Sequence, residues 1–425
     1  MKRILKRTAP KFALFLGGAL LFAFFSNDFG LVDIQKTAVI LAAGIDKSGE
    51  GYELTAQISV PKGGEKAGGT ASVELSGKGE TVADCLMMMY ADSGWIPKFD
   101  FCSLVLLGEE AAREGAMPAL NYFLHNEYMS DNCAVAVAEG SAGEMLKKTS
   151  AIDDTPSLAI HKLFSGAAEK TGAAVKNTLR VFAVDTLGVS KSSFMPFIRS
   201  LPRESEEGGA GSSGGEGGAE GSGGSEGSGG AEGSGGAEGS GGKGGVSGSE
   251  GSGGEGDAPV LFRAEETALF REGKMTGLLS AEETLAFNLV RGKVKAGILT
   301  VKGEDGEPVS LSIKRGGGSA KLGNEGVPRA KLSVRLKVLV SDRTEEDFMA
   351  GTETNVATDE DERRAEELIA SHIASLWGKC QISGCDLLLL ARELYRKDPK
   401  AYEANVGLIP SGMGADIEVS VKGAD

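Results

Sequence analysis

The side chains with most chemical capacity in this 425-residue chain are five cysteines, three histidines and a few runs of carboxylates. The cysteines are Cys85, Cys102, Cys133, Cys380 and Cys385. An odd count outside the cytoplasm leaves at least one thiol unpaired. Cys380 and Cys385 stand five apart, so they either close a small disulfide loop or remain buried thiols. No C-x-x-C occurs, so the spacing for a zinc cradle is missing. His125, His161 and His372 fall in separate segments without an H-E-x-x-H, and read as core or partly buried histidines, His372 on an apolar helix face. Gly223-Gly-Ser-Glu-Gly227 has the G-x-S-x-G pattern of a nucleophile elbow, but no strand precedes it and no helix follows. Matches to G-x-G-x-x-G in the same stretch fail for the same reason, and no Walker A sequence exists. Asp153-Asp154, just before Pro156, and the run Asp359 to Glu362 read as helix caps, where a carboxylate meets unpaired N–H groups. Met87-Met88-Met89, between Leu86 and Tyr90, reads as a core-facing helix turn with at least one Met turned outward, or as an adaptable partner surface. The pattern therefore singles out no catalytic, cofactor-binding or metal-ligating residue and calls for no cofactor.

Charge excludes another class. Lys plus Arg number 45 against 60 Asp plus Glu, a net of -15. Nucleic acid requires a clustered basic face, so an acidic chain of this kind is expected to bind none. Part of the acidity lies in residues 208–256, where 26 of 49 positions are Gly, with seven Glu and one Lys. Four tandem copies of [Ala/Ser]-Glu-Gly-Ser-Gly-Gly occupy 219–242. Such a segment buries too little apolar area to offset its ordering entropy and is expected to be a disordered linker. As a flexible coil its ends would average roughly 35–42 Å apart, which lets the modules on either side separate.

Five cations, Lys2, Arg3, Lys6, Arg7 and Lys11, precede the apolar run Phe12 to Phe25. Fourteen residues are short for a span of about 20, and match the charged and apolar regions of an export signal. Phe24, Phe25, Ser26 and Asn27 give no clean small-x-small cleavage site, so residues 1–30 read as a signal peptide or, preferably, an uncleaved membrane anchor. The positive flank keeps that end cytoplasmic and the rest extracytoplasmic.

Two mixed α/β modules of α+β class are expected, at 31–201 and 257–425. In the first, Ala38 to Val60 reads as a hairpin around Asp46 to Gly51, with period-two alternation in its second arm. Ser72 to Leu75, Ser103 to Leu107, Cys133 to Ala138 and Leu179 to Val184 read as strands. Thr81 to Tyr90, Glu109 to His125, Ser141 to Lys148 and Leu158 to Ala168 read as helices. In the second, Thr267 to Phe270 and a short strand ending near Leu279 flank a turn. Ser280-Ala-Glu-Glu283 is a capping box opening a helix to Leu289. Strands are expected at 296–301, 309–313, 332–340 and 417–421. Helices are expected from Thr358, with Leu368, Ile369, His372, Ile373, Leu376 and Trp377 on one face, and over Asp386 to Arg396.

In this order the landmarks resemble the C-subunits of spore germinant receptors, the Ger(x)C family. Ala38 to Gln57 (AVILAAGIDKSGEGYELTAQ) is similar to the family's first strand, Gly-Ile-Asp-Lys turn and Tyr-Glu-Leu-Thr strand. Phe101 to Gly115 (FCSLVLLGEEAAREG) is similar to its strand, Gly-Glu-Glu-x-Ala and helix, and Ala268 to Lys295 to the opening of its C-terminal domain. Asp386 to Pro399 resembles its late amphipathic helix. The resemblance spans about residues 32–200 and 260–422. Three features depart from it: no lipobox Cys follows the signal, the Gly-rich insertion is long, and the end lacks a Trp-rich segment.

The resemblance implies a non-catalytic, membrane-associated receptor subunit at the extracytoplasmic face of the spore inner membrane, taking part in nutrient-triggered germination with integral membrane partner subunits. Two other readings are an anchored or secreted cell-envelope hydrolase, which would join His125 or His161 to distant acids, and a stand-alone extracytoplasmic binding protein.

Overall fold

The computed structural model describes residues 15–22, 37–61, 70–153, 155–202, 258–303, 306–323, 329–343 and 356–424. The linker at 208–256 and most of the N-terminal signal or anchor lie outside the described residues. Residues 15–22 form a short exposed helix, α1, and no helix among the described residues is long and apolar enough to cross a membrane.

Nine strands make the larger sheet. Its order is β3-β2-β1-β5-β6-β7-β8-β9, with β4 (Ile96–Lys98) beside β1. The hairpin expected at 38–60 is β1 (Thr37–Ser48) and β2 (Gly51–Pro61), and β3 (Thr70–Gly79) extends the expected short strand in both directions. β1, β5 (Leu104–Gly108), β6 (Ala134–Ala138) and β7 (Ser192–Pro202) run parallel. Every residue of β5 and β6 is buried, because helices cover both faces of the sheet. Val105, Leu107, Val135 and Val137 face α2 (Val82–Ser93), α3 (Glu109–His125) and α7 (Leu179–Leu187), which contribute Leu86, Leu120, Phe123 and Phe182. Leu104, Leu106, Ala134 and Ala136 point the other way, to Met145 and Leu146 of α4 (Ala142–Lys147) and Ile160 of α5 (Pro156–Leu163).

Three sequence readings change here. Leu179 to Val184 is a helix, α7, where a strand was expected. Thr178 caps it by accepting the Val181 N–H, and Leu179, Phe182, Ala183 and Thr186 are buried at helical spacing. The expected helix over Leu158 to Ala168 breaks at Phe164, and Ser165 caps a separate α6 (Gly166–Thr171). Asp153 does not cap α5. It pairs with Lys162 at 2.5 Å, while Asp154 lies outside the described residues. The acidic run at 359–362 does open its helix, α9 (Asp359–Ser383), with Thr358 and Asp361 forming a reciprocal capping box.

The smaller sheet is β10 (Gly297–Lys302), β11 (Pro308–Gly323), β12 (Arg329–Arg343) and β13 (Gly414–Gly423), in that order. Its inner face, including Leu311, Leu332, Val334, Leu336 and Val338, packs on α8 (Ala281–Val290) and α9 through Phe287, Ile369, Ile373, Leu376 and Trp377. β11 runs well past the expected 309–313 because three glycines hide the strand signal. A Cβ at Gly318 would run into the carbonyl oxygen of Leu289 at the end of α8. The capping box of α8 is present as expected, and it also ties α8 to α9. Glu283 accepts from the Ser280 N–H at 2.8 Å, from Lys379 at 2.8 Å and from the Ser375 hydroxyl at 2.6 Å. α10 (Leu390–Lys397) and α11 (Pro399–Asn405) complete the chain before β13.

The two sides of the linker are not held apart. β8 (Val260–Arg271) and β9 (Lys274–Leu279) belong to the larger sheet, and β8 pairs antiparallel with β7 from Ser192↔Arg271 to Pro202↔Val260. Residues 203–259 are thus the connection of a hairpin whose strand ends lie about 5 Å apart, not the roughly 35–42 Å of a free coil. The sequence reading passed over β7, whose Pro196 and serines weaken its strand pattern. Period two explains what the pair does. Met195, Phe197, Ala268 and Phe270 enter the core of the larger sheet, while Phe194 and Leu269, joined by Leu279 of β9, enter the core of the smaller one.

Replacing residues 203–259 by a turn of about five residues is expected to raise the unfolding free energy by up to about 2 kcal/mol. Each halving of a flexible loop lowers closure cost by about 0.6 kcal/mol, and the urea midpoint at unchanged slope reads it. A second expectation concerns acid. Burial pushes the Glu283 carboxyl up, but Lys379, Ser375 and the Ser280 N–H outweigh it and hold its pKa below the usual carboxylate value. Its contribution is therefore present above an ordinary pKa near about 4.3 and lost as pH falls through the lower folded value. Glu283→Gln is expected to flatten the acid limb of a pH-stability curve.

Candidate functional site

The chemistry-bearing side chains are dispersed. All five cysteines are buried and free, so Cys380 and Cys385 are separate thiols. Burial, with acidic and thiol neighbours, pushes the Cys380 thiol far up, and Cys385 lies 3.2 Å from the Thr276 hydroxyl. Hydrogen bonding to Cys102 and burial raise Cys133 likewise. Thiols held protonated in this way are poor nucleophiles. His125 is exposed at the end of α3, its Nδ1 2.8 Å from the Asn121 carbonyl. His161 is half-buried on α5, across the sheet from α3, and burial lowers its pKa, with Lys176 adding to the effect. The two do not share a pocket. His372 is half-buried on α9. Among the described residues, no group of three or more His, Cys, Asp or Glu is placed to hold a metal ion. Met89 is buried while Met87 and Met88 both face outward.

An open α/β sheet usually binds ligands outside the carboxyl ends of its strands, where successive helices leave to opposite faces. Such a crevice exists here. α3 leaves β5 on one face and α4 follows β6 on the other, and the cleft between them, about 550 Å³, is lined by Asp46, Lys47, Glu109, Arg113, Ser141 and Gly143 among others. Its best anion position is already filled by the protein. Asp46, at the end of β1, accepts from the Ser141 hydroxyl at 2.7 Å, the Ala142 N–H at 2.7 Å and the Gly143 N–H at 2.8 Å. One carboxylate thus satisfies the first turn of α4. The neighbouring charges also pair, Lys47 with Glu114 at 3.1 Å and Arg113 with Glu109 at 2.7 Å. The turn Gly44-Ile45-Asp46-Lys47 is explained by this contact. A Cβ on Gly44 would lie 3.0 Å from the Ala142 backbone carbon, so glycine lets α4 approach closely enough for Asp46 to cap it.

A second feature is a surface. Among the described residues, no helix covers the outer face of the smaller sheet. Lys302 of β10, Arg315 and Lys321 of β11, and Arg335 and Lys337 of β12 lie exposed on it without an ion-pair partner among the described residues. Arg329 and Lys331 share that face, paired with Asp416 at 2.5 Å and Glu418 at 2.6 Å on β13. This basic face stands out on a chain with a net charge of -15. The sequence held the signal: Lys331, Arg335 and Lys337 alternate with buried Leu332, Val334, Leu336 and Val338. The whole-chain acidity concealed it.

Residues 31–200 match the family described as "Spore germination protein N-terminal domain", and residues 265–422 match "Spore germination B3/ GerAC like, C-terminal". No curated protein matches the chain. A solved structure titled "Crystal Structure of the GerBC protein" aligns over 90% of this chain and 97% of that one, at 15% identity and a TM-score of 0.46, a likeness too distant to carry an argument. With both matches in chain order over nearly all the residues outside the linker and the N-terminus, the chain belongs to the Ger(x)C family of spore germination proteins.

Asp46→Ala leaves the Ala142 and Gly143 N–H groups without their acceptor. The expected loss is about 2 kcal/mol of unfolding free energy, read as a lower urea midpoint, with Asp46→Asn recovering part of it.

Proposed function

We propose that the protein is a non-catalytic subunit of a spore germinant receptor, held at the extracytoplasmic face of the spore inner membrane and assembled with integral membrane subunits of the same receptor. The observation that carries the reading is the ordered match of both germination-protein segments. The charged N-terminal segment ahead of an apolar run supports an anchored chain. The basic face of the smaller sheet supports an orientation in which Lys302, Arg315, Lys321, Arg335 and Lys337 meet anionic headgroups, each cation contributing about 1 kcal/mol near such a surface. In this arrangement the protein acts as an adaptor. The β7–β8 pairing, which joins its two family segments in one sheet, supports an adaptor that acts as one unit rather than as modules that part along the linker.

Two measurements test this. Tagged native protein captured from detergent-solubilised membranes of sporulating cells is expected to bring multi-span receptor subunits with it, identified by mass spectrometry. Recovery of the protein alone, from the soluble fraction and without residues 1–30, would sink the assignment. For the orientation, the full chain is expected to bind phosphatidylglycerol vesicles in a salt-sensitive way. The triple variant Arg315→Glu, Arg335→Glu, Lys337→Glu is expected to bind them roughly a hundredfold more weakly, with binding to phosphatidylcholine vesicles unchanged.

A further inference from the structure

Between the two cores lies a smaller cavity of about 280 Å³, walled by both family segments. From the first come Lys176, Asn177 and Asp185 around α7, and Ser192 to Phe194 of β7; from the second come Arg291 and Lys293 after α8, and Leu387 and Leu389 before α10. Arg291 is the unusual member. Its guanidinium sits against the rings of Phe194 and Phe287, at 4.8 Å and 4.9 Å from their centroids. Those two rings meet edge-to-face at 5.1 Å. The Nη1 of Arg291 is sealed from solvent and makes no hydrogen bond. No carboxylate among the described residues forms an ion pair with Arg291. Asp185 pairs with Arg392 at 3.5 Å, and Glu169 with Lys293 at 3.3 Å. A sealed guanidinium nitrogen left without a partner is costly, because its lost hydration is not replaced.

The surroundings are tied together by hydrogen bonds. Asn177 is buried and donates to the Phe194 carbonyl at 2.7 Å while accepting the Thr178 N–H at 2.9 Å. Asp386 donates its N–H to Ser192 at 2.9 Å, and its carboxylate accepts from the N–H groups of Leu390 and Ala391, each at 2.8 Å. Leu389, on the cavity wall, is held at φ +56°, a left-handed conformation that costs a branched residue about 1–2 kcal/mol. Local strain of this kind collects at binding sites that the surrounding structure holds in shape.

From this geometry we propose that the cavity is a binding site for a small monocarboxylate, whose carboxylate pairs with the part of the Arg291 guanidinium that lines the cavity. The two rings, set edge-to-face to each other, hold the guanidinium beside the cavity, and a carboxylate is the acceptor that best matches its remaining N–H donors. Charge count selects a monoanion. The lining holds three cations, Lys176, Arg291 and Lys293, and two acids, Glu169 and Asp185, an excess of one positive charge. A phosphate dianion would overshoot that excess and meet Asp185 and Glu169. The volume suits a solute of only a few heavy atoms, at the lower end of ligand pockets. Because the walls come from both segments, an occupant would strengthen their union by mass action. This site stands independently of the membrane reading and goes beyond it.

The test uses the full chain in detergent and acetate as the probe. Saturation-transfer NMR is expected to detect acetate methyl protons on the wild-type protein. The urea midpoint is expected to rise saturably with acetate up to about 100 mM, at ionic strength held constant with sodium chloride. Arg291→Gln is expected to weaken acetate binding at least roughly tenfold. Lys176→Gln, at an exposed rim position, is expected to weaken it severalfold with folding intact, and so serves where Arg291→Gln fails to fold. No saturation transfer and no acetate-specific midpoint shift would overturn the proposal. Equal shifts in both variants would overturn it too. A saturable, Arg291-dependent shift with inorganic phosphate but not acetate would overturn the choice of monocarboxylate.

Discussion

The antiparallel pair β7–β8 is the contact on which the rest of the molecule depends. Its strands come from opposite ends of a 57-residue connection, residues 203–259, yet they are neighbours from Ser192↔Arg271 to Pro202↔Val260. Closing so long a loop is less costly than its length suggests, since closure entropy grows only with the logarithm of length. What offsets that cost is burial on both sides of the pair. Met195, Phe197, Ala268 and Phe270 enter one core, and Phe194 and Leu269 the other. Remove the pair and each core loses a wall. The insertion is therefore tolerated because it enters at the end of a hairpin, where the backbone needs no further partners.

Buried charge is handled in two opposite ways in this fold. Asp46 sits at a helix N-terminus with three donors between 2.7 Å and 2.8 Å, so its charge is spent inside the structure and the crevice around it is closed to another anion. Asp386 follows the same logic at α10, although burial raises its pKa against the N–H bonds of Ala391 and Leu390 that lower it. Arg291 is the opposite case: two aromatic faces hold it in position, and no acceptor completes it. A helix that needs an anion has been given one by the chain, whereas the guanidinium has been left open. That contrast directs attention to the cavity between the segments rather than to the crevice at the strand ends, where fold type alone would have looked first.

Much of the architecture was legible in the sequence. The capping box at Ser280 and the acidic run after Thr358 marked α8 and α9, and the alternation after Gly51 marked β2, because these signals are local. The failures are places where a distant partner decides. Leu179 to Val184 carries β-branched and apolar residues that suit a strand, but Phe182 packs on Phe270 with ring centroids 5.0 Å apart, and this contact selects the helix. β7 was hidden by Pro196, and its partner lies beyond the linker. Gly316 to Gly318 lie beyond the expected strand at 309–313, and at Gly318 the end of α8 rests on β11. Composition drew a division at the linker, and the hydrogen-bonded sheet runs across it.

The sites follow the same division. The role of Asp46 was half visible, since the Gly-Ile-Asp-Lys turn stood out as a motif while its partner, the first turn of α4, lies 95 residues away at Ser141. Arg291 offered no signal at all. It is one basic residue after a helix, and its character arises only when β7 brings Phe194 against Phe287. The basic face was legible by period but masked by an average, since a net charge of -15 says nothing of which side of a sheet each charge occupies. Whole-chain charge therefore excludes partners only when charge is evenly spread. Here β12 sorts it, turning Lys331, Arg335 and Lys337 outward while burying the residues between them, so an acidic protein presents a cationic surface.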